Sequence, residues 1–261
     1  MQRRYKRFLA DVELNDGRLV TAHVPNTGTM ATCWQPGAAV QLSYSDNPRR
    51  KLAWTLERVD MGSGWIGVNT ARPNQVLAEA VGLGRIPPLR GYRTLRREVP
   101  FSGPAHRDDR TFGSKPSPEP SSKQGSKQGS KPGSESGRLD IRLSDAENAG
   151  LADALIEVKN VTLLDGDLLR FPDARSERGR KHLNLLMAAV ATGLRGVMLF
   201  ALNRPDGRAL APAWDIDRAY AQRLSEAAAA GVEVLAVRLV HGSDRIDTGE
   251  LLPVNLLPPD Q

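Results

Sequence analysis

Apolar and polar side chains alternate along five short segments near the start of the chain, which is the period typical of β-strands. The segments cover residues 7–14, 18–24, 39–44, 51–59 and 64–69. Asn15-Asp16-Gly17 separates the first two and is typical of a hairpin turn, because glycine accepts a positive φ. Five short strands without a helix predict a small closed β-barrel over residues 1–70, a form that leaves few sheet edges exposed.

The period changes to that of a helix at Pro73, a residue well suited to a first helical turn, and the apolar stripe ends at Gly82. Strands are predicted over 92–99, 138–143, 154–163, 196–202 and 232–239, and helices over 176–192 and 217–230, with Ser176 as an N-cap. Strand, helix, strand with apolar runs predicts parallel crossovers. The pattern therefore indicates a mixed α/β domain over 71–245, followed by a C-terminal tail, 246–261.

Residues 113–137 interrupt this domain with only Gly, Ser, Pro, Lys, Gln and Glu, including near-repeats of Ser-Lys-Gln-Gly. A segment without apolar side chains does not bury enough surface to offset its ordering entropy. The composition therefore predicts a disordered insertion that is dispensable for folding.

Composition excludes several classes of protein. The 261 residues are 40% hydrophobic and 25% charged, as in an ordinary globular protein, and hold no apolar run long enough for a membrane helix. The N-terminus lacks the apolar stretch of a secretory signal, so the expected location is the cytoplasm. The single cysteine, Cys33, excludes an internal disulfide and a cysteine-based zinc site, and we interpret it as a small barrel residue.

The net charge of +6 favours a polyanionic partner, because the basic residues are clustered and not evenly spread. Three clusters stand out, although solubility alone also accounts for surface charge. They are Arg3, Arg4, Lys6 and Arg7 at the start, Arg49, Arg50 and Lys51 at a turn, and Arg85, Arg90, Arg93, Arg96 and Arg97 after the first helix. Trp34, Tyr44, Trp54 and Trp65 can either stack on bases or pack in the barrel.

An acid and an amine at strand spacing are the most informative chemical feature. Glu157 and Lys159 share one face of the predicted strand, and Asp140 stands on the strand before it. Asp followed by Glu-x-Lys on the next strand is the arrangement of metal-dependent PD-(D/E)xK nucleases. There, two carboxylates hold Mg²⁺ or Mn²⁺, and the lysine positions a water. The alternative is a solvated strand face, since charges at this spacing commonly face water.

Six sequence blocks, in this order and spacing, resemble the sugar fermentation stimulation protein family, a bacterial and archaeal group associated with DNA binding. The blocks are Pro25-Asn-Thr-Gly-Thr-Met30, Val68-Asn-Thr-Ala-Arg-Pro-Asn74, Glu157-Val-Lys-Asn-Val-Thr-Leu163, Phe171-Pro-Asp-Ala174, Arg178-Gly-Arg-Lys-His-Leu183 and Gly231-Val-Glu-Val-Leu235. The resemblance implies an N-terminal barrel resembling the oligonucleotide-binding fold, joined to a PD-(D/E)xK nuclease-like α/β domain. It leaves the enzymatic activity open and departs from the family pattern at the 113–137 insertion.

The resemblance also assigns further residues to the site. It implies that Glu79, on the first helix, adds a metal ligand, although a solvated helix glutamate is the alternative. Lys181 and His182 stand near the start of a helix, where free N–H groups favour a phosphate. Asp173 and Arg178 fall in matching blocks and can support the site, while Asn160 and Thr162 can orient its ligands.

Two function classes remain from the sequence, of which we favour the first and keep the second as the alternative. The first is a largely sequence-nonspecific DNA-binding protein, with a regulatory role in sugar metabolism implied by the resemblance. Its predicted contacts are Arg49, Arg50, Lys51, Arg93, Arg96, Lys181 and His182. The second is a Mg²⁺-dependent nuclease with Asp140, Glu157 and Lys159 as catalytic residues and Asp140, Glu157 and Glu79 around the metal. The sequence contains no glycine-rich phosphate loop or nucleophile motif, so we expect no small-molecule cofactor. The oligomeric state stays open.

Overall fold

In the computed structural model, which describes residues 1–104 and 134–258, the first six strands form a sheet of their own. They are β1 (Arg3–Tyr5), β2 (Leu9–Glu13), β3 (Leu19–His23), β4 (Ala39–Tyr44), β5 (Trp54–Asp60) and β6 (Trp65–Gly67). Their order is β1-β2-β3-β5-β4, with β6 paired to β5, and they cover a separate apolar core. The five predicted strands are present, and β1 is an addition whose three residues are too few to show a period.

The register of this sheet brings three connections to one end of it. Leu9 pairs with His23 and Ala22 with Trp54, so β2 starts, β3 ends and β5 starts at that end. The β1–β2 turn, the loop after β3 and the β4–β5 turn therefore lie together. The β2–β3 turn, which contains Arg18, lies at the opposite end.

The remaining strands build the C-terminal domain. They are β7 (Tyr92–Pro104), β8 (Ser134–Ala146), β9 (Ala154–Val161), β10 (Leu163–Asp165), β11 (Leu168–Phe171), β12 (Arg195–Leu202), β13 (Ala209–Pro212), β14 (Glu233–His241) and β15 (Ile246–Leu251). The main sheet has the order β15-β14-β12-β9-β8-β7, and β10, β11 and β13 form a small second sheet. β12 lies parallel to both β9 and β14, as the predicted crossovers require.

Helices cover both faces of the main sheet. They are α1 (Arg72–Gly82), α2 (Glu177–Ala191) and α3 (Arg218–Ala229), with a short 3-10 helix at Pro87–Leu89. α1 packs on one face, and α2 and α3 pack on the other, because alternate β12 residues are apolar in both directions. The hydroxyl of Ser176 accepts the N–H of Gly179 at 3.1 Å, which confirms the predicted cap. The mixed α/β class is confirmed.

Two predicted boundaries differ from the structure. Residues 246–251 form β15 and pair with β14, and Leu252 is buried, so the first part of the predicted tail belongs to the main sheet. Its polar sequence, Ile-Asp-Thr-Gly-Glu-Leu, lacks the alternation that would have predicted a strand. Residues 134–137 of the predicted insertion begin β8 and pair with residues 101–104. The rest of that insertion, 113–133, lies outside the described residues.

The two domains share a polar interface. The Arg204 guanidinium, which is 3% exposed, donates to the carbonyl oxygens of Thr32 and Thr162. Gly67 donates its N–H to the Asn203 carbonyl oxygen at 2.8 Å. A Cβ on Gly67 would lie 2.2 Å from the Asn203 side chain, so this approach requires glycine. The contacts hold the N-terminal sheet directly against the carboxyl ends of β9 and β12.

None of the helices in the described part of the chain combines the length and the apolarity needed to cross a bilayer. The aromatic residues singled out above pack mainly within the protein. Trp34 and Trp54 lie against the N-terminal core, Trp65 lies under the Arg58 guanidinium, and Tyr44 meets Trp54 edge-on while 63% exposed.

Candidate functional site

The candidate site lies where β8 and β9 separate. Their antiparallel pairing ends at Ile141 and Ile156, one residue before Asp140 and Glu157 would face each other. Beyond that point the Asp140 carboxylate replaces the backbone ladder, since its Oδ2 accepts the N–H of Val158 at 2.7 Å. The end of this pairing therefore leaves room for polar side chains around Asp140 and Glu157.

Asp140 is held by hydrogen bonds at both oxygens. Its Oδ1 accepts the Asn74 amide of α1 at 2.7 Å, and its Oδ2 accepts Val158 N–H. Burial, followed by the nearby negative charge of Glu157, raises the pKa of Asp140 to about 6, although the Val158 hydrogen bond opposes the shift. Two adjacent carboxylates repel each other, so one of them tends to hold a proton, and the raised pKa makes Asp140 that carboxylate.

Glu157 is 3% exposed and lies between two nitrogen groups. Its Oε1 contacts both the Lys159 ammonium and the Nδ1 of His182, and these two nitrogens lie 3.0 Å apart. Burial alone would raise the pKa of Glu157, but the His182 hydrogen bond and the Lys159 charge outweigh it and hold the pKa below its usual value. Glu157 is thus a carboxylate kept ionised inside the protein.

The second oxygen of Glu157 has a different environment. Oε2 is buried and has no hydrogen-bond partner among the described residues. A buried, ionised oxygen without a partner is costly, and a cation beside Asp140 would satisfy it. No group of three or more His, Cys, Asp and Glu side chains in residues 1–104 and 134–258 forms a closed metal cage. Two carboxylates fit Mg²⁺, which usually takes one or two of them and completes its shell with water and phosphate.

The site opens into a cavity of about 410 Å³ at the junction of the two domains. One wall is the loop after β3, with Asn26, Thr27 and Gly28, and the opposite wall carries the triad. Gly28 packs so closely on Asp173 that a Cβ would lie 1.8 Å from its Oδ2. Burial raises the pKa of Asp173, while backbone N–H groups of the loop oppose this rise. The N-terminal domain therefore completes the site.

The structure brings Asp140, Glu157, Lys159 and His182 together, but it does not bring Glu79 to them. Glu79 is exposed and lines a separate cleft of about 810 Å³. Asn74 takes the place on α1 that the family resemblance gave to Glu79. Five residues turn a helix by about 140° beyond a full turn, so the two side chains leave α1 in different directions. Asn74 ends one of the matching sequence blocks, and its place in that block was the one sign in the sequence that it belongs to the site.

The residues that the sequence assigned to support the site are close to it. Asp173, Asn160, Thr162 and Arg178 all line the cavity, with Arg178 exposed. Asn160 accepts the Asn203 amide at 2.9 Å, and the Thr162 carbonyl accepts Arg204, so these two residues tie the site to the domain interface. The cavity also contains Arg170, which the sequence did not single out and which pairs with Asp165 and Asp215.

The predicted DNA contacts do not line the cavity, His182 excepted. Arg49, Arg50 and Lys51 occupy the β4–β5 turn, at the same end of the N-terminal sheet as the loop that walls the site. Arg93 and Arg96 are exposed on β7, the edge strand beside β8, and Lys181 is exposed on α2. Arg3 and Arg4 have structural partners, since Arg3 pairs with Asp11 and Arg4 binds backbone carbonyls.

Comparison with family models and with known proteins gives consistent matches. Residues 3–68 match the model described as the SfsA N-terminal OB domain, and residues 118–245 match the sugar fermentation stimulation protein RE domain. A sugar fermentation stimulation protein homolog of Geobacter sulfurreducens is 43% identical over 252 residues, which cover 97% of this chain and 93% of that protein. A homolog of Acidithiobacillus ferrooxidans is 41% identical, with 97% of this chain and 94% of that protein covered.

A solved structure has the same overall fold. It is described as the structure of Pyrococcus furiosus SfsA in complex with Ca²⁺, and it aligns with a TM-score of 0.74 over 97% of this chain and 93% of that chain. At 22% sequence identity this likeness establishes the fold alone. Together with the family models, it confirms the resemblance and the arrangement of an oligonucleotide-binding-like domain before a sheet-rich α/β domain.

Proposed function

This chain belongs to the sugar fermentation stimulation protein family, and we propose that it binds DNA and hydrolyses the phosphodiester backbone at Asp140, Glu157 and Lys159 when a divalent cation is bound. The observation that carries the proposal is the unpartnered, buried Oε2 of Glu157 beside the Asp140 carboxylate. A purely structural ion pair would not require a free oxygen at the wall of an open cavity. With DNA as the substrate, we expect the protein in the cytoplasm.

Asp140 and Glu157 would hold the cation, and Mg²⁺ and Mn²⁺ fit their oxygen ligands. When bound, the cation neutralises phosphate charge and lowers the pKa of a water. The related Pyrococcus furiosus protein was solved with Ca²⁺, another cation that prefers oxygen ligands, which supports the same ligand class here. Asp140 must lose its proton before it can bind a cation, and with a pKa of about 6 it is mostly ionised above neutral pH.

Each neighbouring residue has a separate task. Lys159 carries an ammonium group at the cavity wall, where it can hold a water or a phosphate oxygen in line with the reacting bond. His182 contacts the same Glu157 oxygen and keeps that carboxylate oriented. Asn74 does the same for Asp140. The loop with Gly28 forms one wall of the cavity through which a strand would reach the triad.

DNA binding itself is proposed to be largely independent of sequence. The basic turn at 49–51, the exposed arginines of β7 and Lys181 contact phosphates, and no helix within residues 1–104 and 134–258 presents a row of polar side chains suited to the major groove. Released counterions then dominate the affinity, which should fall steeply with salt. An affinity that stays constant between low and physiological salt would contradict this mode of binding.

The decisive experiment incubates the pure protein with end-labelled single-stranded and duplex DNA in Mg²⁺, Mn²⁺ or EDTA. We expect cleavage with Mg²⁺ or Mn²⁺ and none in EDTA. Asp140→Asn, Glu157→Gln and Lys159→Ala should each abolish cleavage and leave DNA binding in EDTA largely intact. Glu79→Gln is the matched control, since it makes the same chemical change at a glutamate in the other cleft, and it should cleave normally.

A second candidate is a DNA-binding protein, regulatory in the sense the family name implies, in which the nuclease-like domain is a scaffold. It is favoured by the contacts of Lys159 and His182 with Glu157 Oε1, because this pairing neutralises the carboxylate without a cation. Calorimetry separates the two candidates. Mg²⁺ or Mn²⁺ binding that Glu157→Gln removes supports the nuclease, whereas DNA binding without cation binding or cleavage supports the scaffold.

A further inference from the structure

The β1–β2 turn combines two cations and an aromatic side chain in three consecutive exposed residues, Lys6, Arg7 and Phe8. Neither Lys6 nor Arg7 has a side-chain partner within residues 1–104 and 134–258. Phe8 is 45% exposed, although aromatic side chains of its size usually bury most of their surface. This turn is therefore an exposed basic and aromatic surface outside the N-terminal core, which we call the basic tip.

The backbone of the basic tip is held in an unfavourable conformation. Lys6 has φ 50° and Arg7 has φ 62°, in the left-handed region that favours glycine or asparagine. Strain of this kind persists only where surrounding contacts enforce it, and it concentrates at functional sites. Gly or Asn at these two positions would relieve the strain, yet the chain carries long cationic side chains there.

Arg4 supplies the enforcing contacts and ties the basic tip to the catalytic cavity. Its Nη2 donates to the carbonyl oxygens of Arg7 at 2.9 Å, Gly28 at 2.9 Å and Asn26 at 3.0 Å. Asn26 and Gly28 belong to the loop that walls the cavity of Asp140 and Glu157. One guanidinium thus fixes the tip backbone beside the mouth of that cavity.

We propose that the basic tip binds one unpaired strand of DNA at the entrance to the cavity, with Phe8 stacking on a base and Lys6 and Arg7 contacting the adjacent phosphates. A rigid, exposed aromatic flanked by cations is how proteins bind single strands without reading sequence, because every base offers a flat face. In a duplex the bases are stacked on each other and do not offer that face. The inference rests on the proposed DNA-binding function and adds a preference for unpaired strands.

Binding is measured by fluorescence anisotropy in EDTA, so that no cleavage interferes, with a labelled oligothymidylate and a duplex of the same length. Phe8→Ala should weaken single-strand binding about ten-fold and leave duplex binding within two-fold, as expected for the loss of one stacked base. Phe8→Trp should retain single-strand binding. The double substitution Lys6→Asn with Arg7→Gly should weaken binding and reduce the dependence of log affinity on log salt by about 1 to 2.

Folding and charge are controlled separately. Lys6→Asn with Arg7→Gly places favourable residues at both positive-φ positions, so its melting temperature should equal or exceed that of the wild type. Arg18→Ala removes an exposed arginine from the opposite end of β2 and should bind as the wild type does. The result that overturns the basic tip is wild-type affinity for the single strand in both Phe8→Ala and the double variant. If the wild type binds no DNA at all, the proposed function fails and the inference fails with it.

Discussion

Asp140 and Val158 are joined by a hydrogen bond of 2.7 Å from the Val158 backbone N–H to the carboxylate Oδ2, one residue beyond the last paired residue of β8 and two residues beyond that of β9. The Asp140 carboxylate takes the place of a backbone carbonyl in the sheet. Its position is consequently as rigid as the sheet itself, which is the kind of support that a precise site needs. The folded state also buries this carboxylate, so the stability of the fold depends on whether Asp140 is ionised.

Asp140 should make the protein less stable as pH rises. A raised pKa means that the folded state binds the proton more tightly than the unfolded state, so the free energy of unfolding falls as pH rises from about 4 through about 6. The loss by pH 8 should be about 2–3 kcal/mol. Asp140→Asn should remove it and be more stable than the wild type at pH 8. Urea denaturation across this pH range measures the free energy of unfolding of the wild type and of the variant.

The control for this prediction is Asp46→Asn, at an exposed position in the β4–β5 turn, whose stability should follow the wild type at every pH. Other carboxylates also titrate in this range, and the difference between the wild-type and variant curves removes their contribution. A difference that does not change with pH would contradict the assignment of the raised pKa to Asp140.

Divalent cations should stabilise the folded protein, and more so at high pH. A ligand that binds only the folded state raises the melting temperature, and the proton on Asp140 competes with the cation for the same oxygens. The rise with Mg²⁺ or Mn²⁺ should therefore be larger at pH 8 than at pH 5. Differential scanning fluorimetry with and without EDTA measures it. Glu157→Gln should abolish the rise, whereas Glu79→Gln should keep it.

How much of this site the sequence predicts depends on the range of the contacts. Asp140, Glu157 and Lys159 could be placed together, because strand alternation and the pairing of consecutive strands are local properties. Asn74 could not be assigned its contact, since the angle at which α1 crosses the sheet depends on tertiary packing. For the same reason the resemblance gave Glu79 to the site. It lies on the expected helix, but on the face that lines the other cleft.

The fold shows a similar division. Long periodic segments such as β12 and α2 were predicted within one or two residues of their observed ends. Strands of three or four residues, such as β10, β11 and β13, were missed because so few positions show no period. They pair with one another in the small second sheet, where β13 joins β11 from a distant part of the chain.

His182 should act as a positioning residue for Glu157. His182→Leu removes a donor from a buried, ionised carboxylate, which should cost about 1–3 kcal/mol in the free energy of unfolding at neutral pH. Because these contacts lower the pKa of Glu157, the stability they provide is present above about pH 4.5 and disappears as the carboxylate is protonated at lower pH. His182→Gln, which keeps a donor, should restore part of the loss. Equal stability of His182→Leu and the wild type at pH 7 would show that Lys159 alone suffices.

The close contact between Gly28 and Asp173 should make position 28 intolerant of any side chain. Gly28→Ala places a Cβ 1.8 Å from Asp173 Oδ2, so the loop after β3 must move away from the cavity wall. We expect a loss of about 1–3 kcal/mol together with weaker cleavage of DNA. Gly150→Ala is the control, because its Cβ would meet only Asn148 at an ordinary 3.7 Å. Normal stability and cleavage in Gly28→Ala would mean that the loop does not shape the site.

The insertion should contribute nothing to the stability of the fold, although it separates two paired strands. β7 and β8 pair from Tyr92 and Ala146 to Pro104 and Ser134, and Phe101 packs against the core beneath α2. The far end of this strand pair, which we call the arm, is therefore held in place without the insertion. Replacing residues 113–133, which lie outside the described residues, with a short Gly-Ser turn shortens the loop that pairing must close. Each halving of a loop gains only about 0.6 kcal/mol, so the melting temperature should stay the same or rise slightly.

Phe101→Ala is the contrasting change and should cost about 1–3 kcal/mol, because it removes an aromatic ring from the apolar contact that anchors the arm. Thermal unfolding of the two variants decides between the alternatives: a clear loss in the shortened chain would mean that residues 113–133 pack on the domain, and an unaffected Phe101→Ala would mean that the arm is held by strand pairing alone.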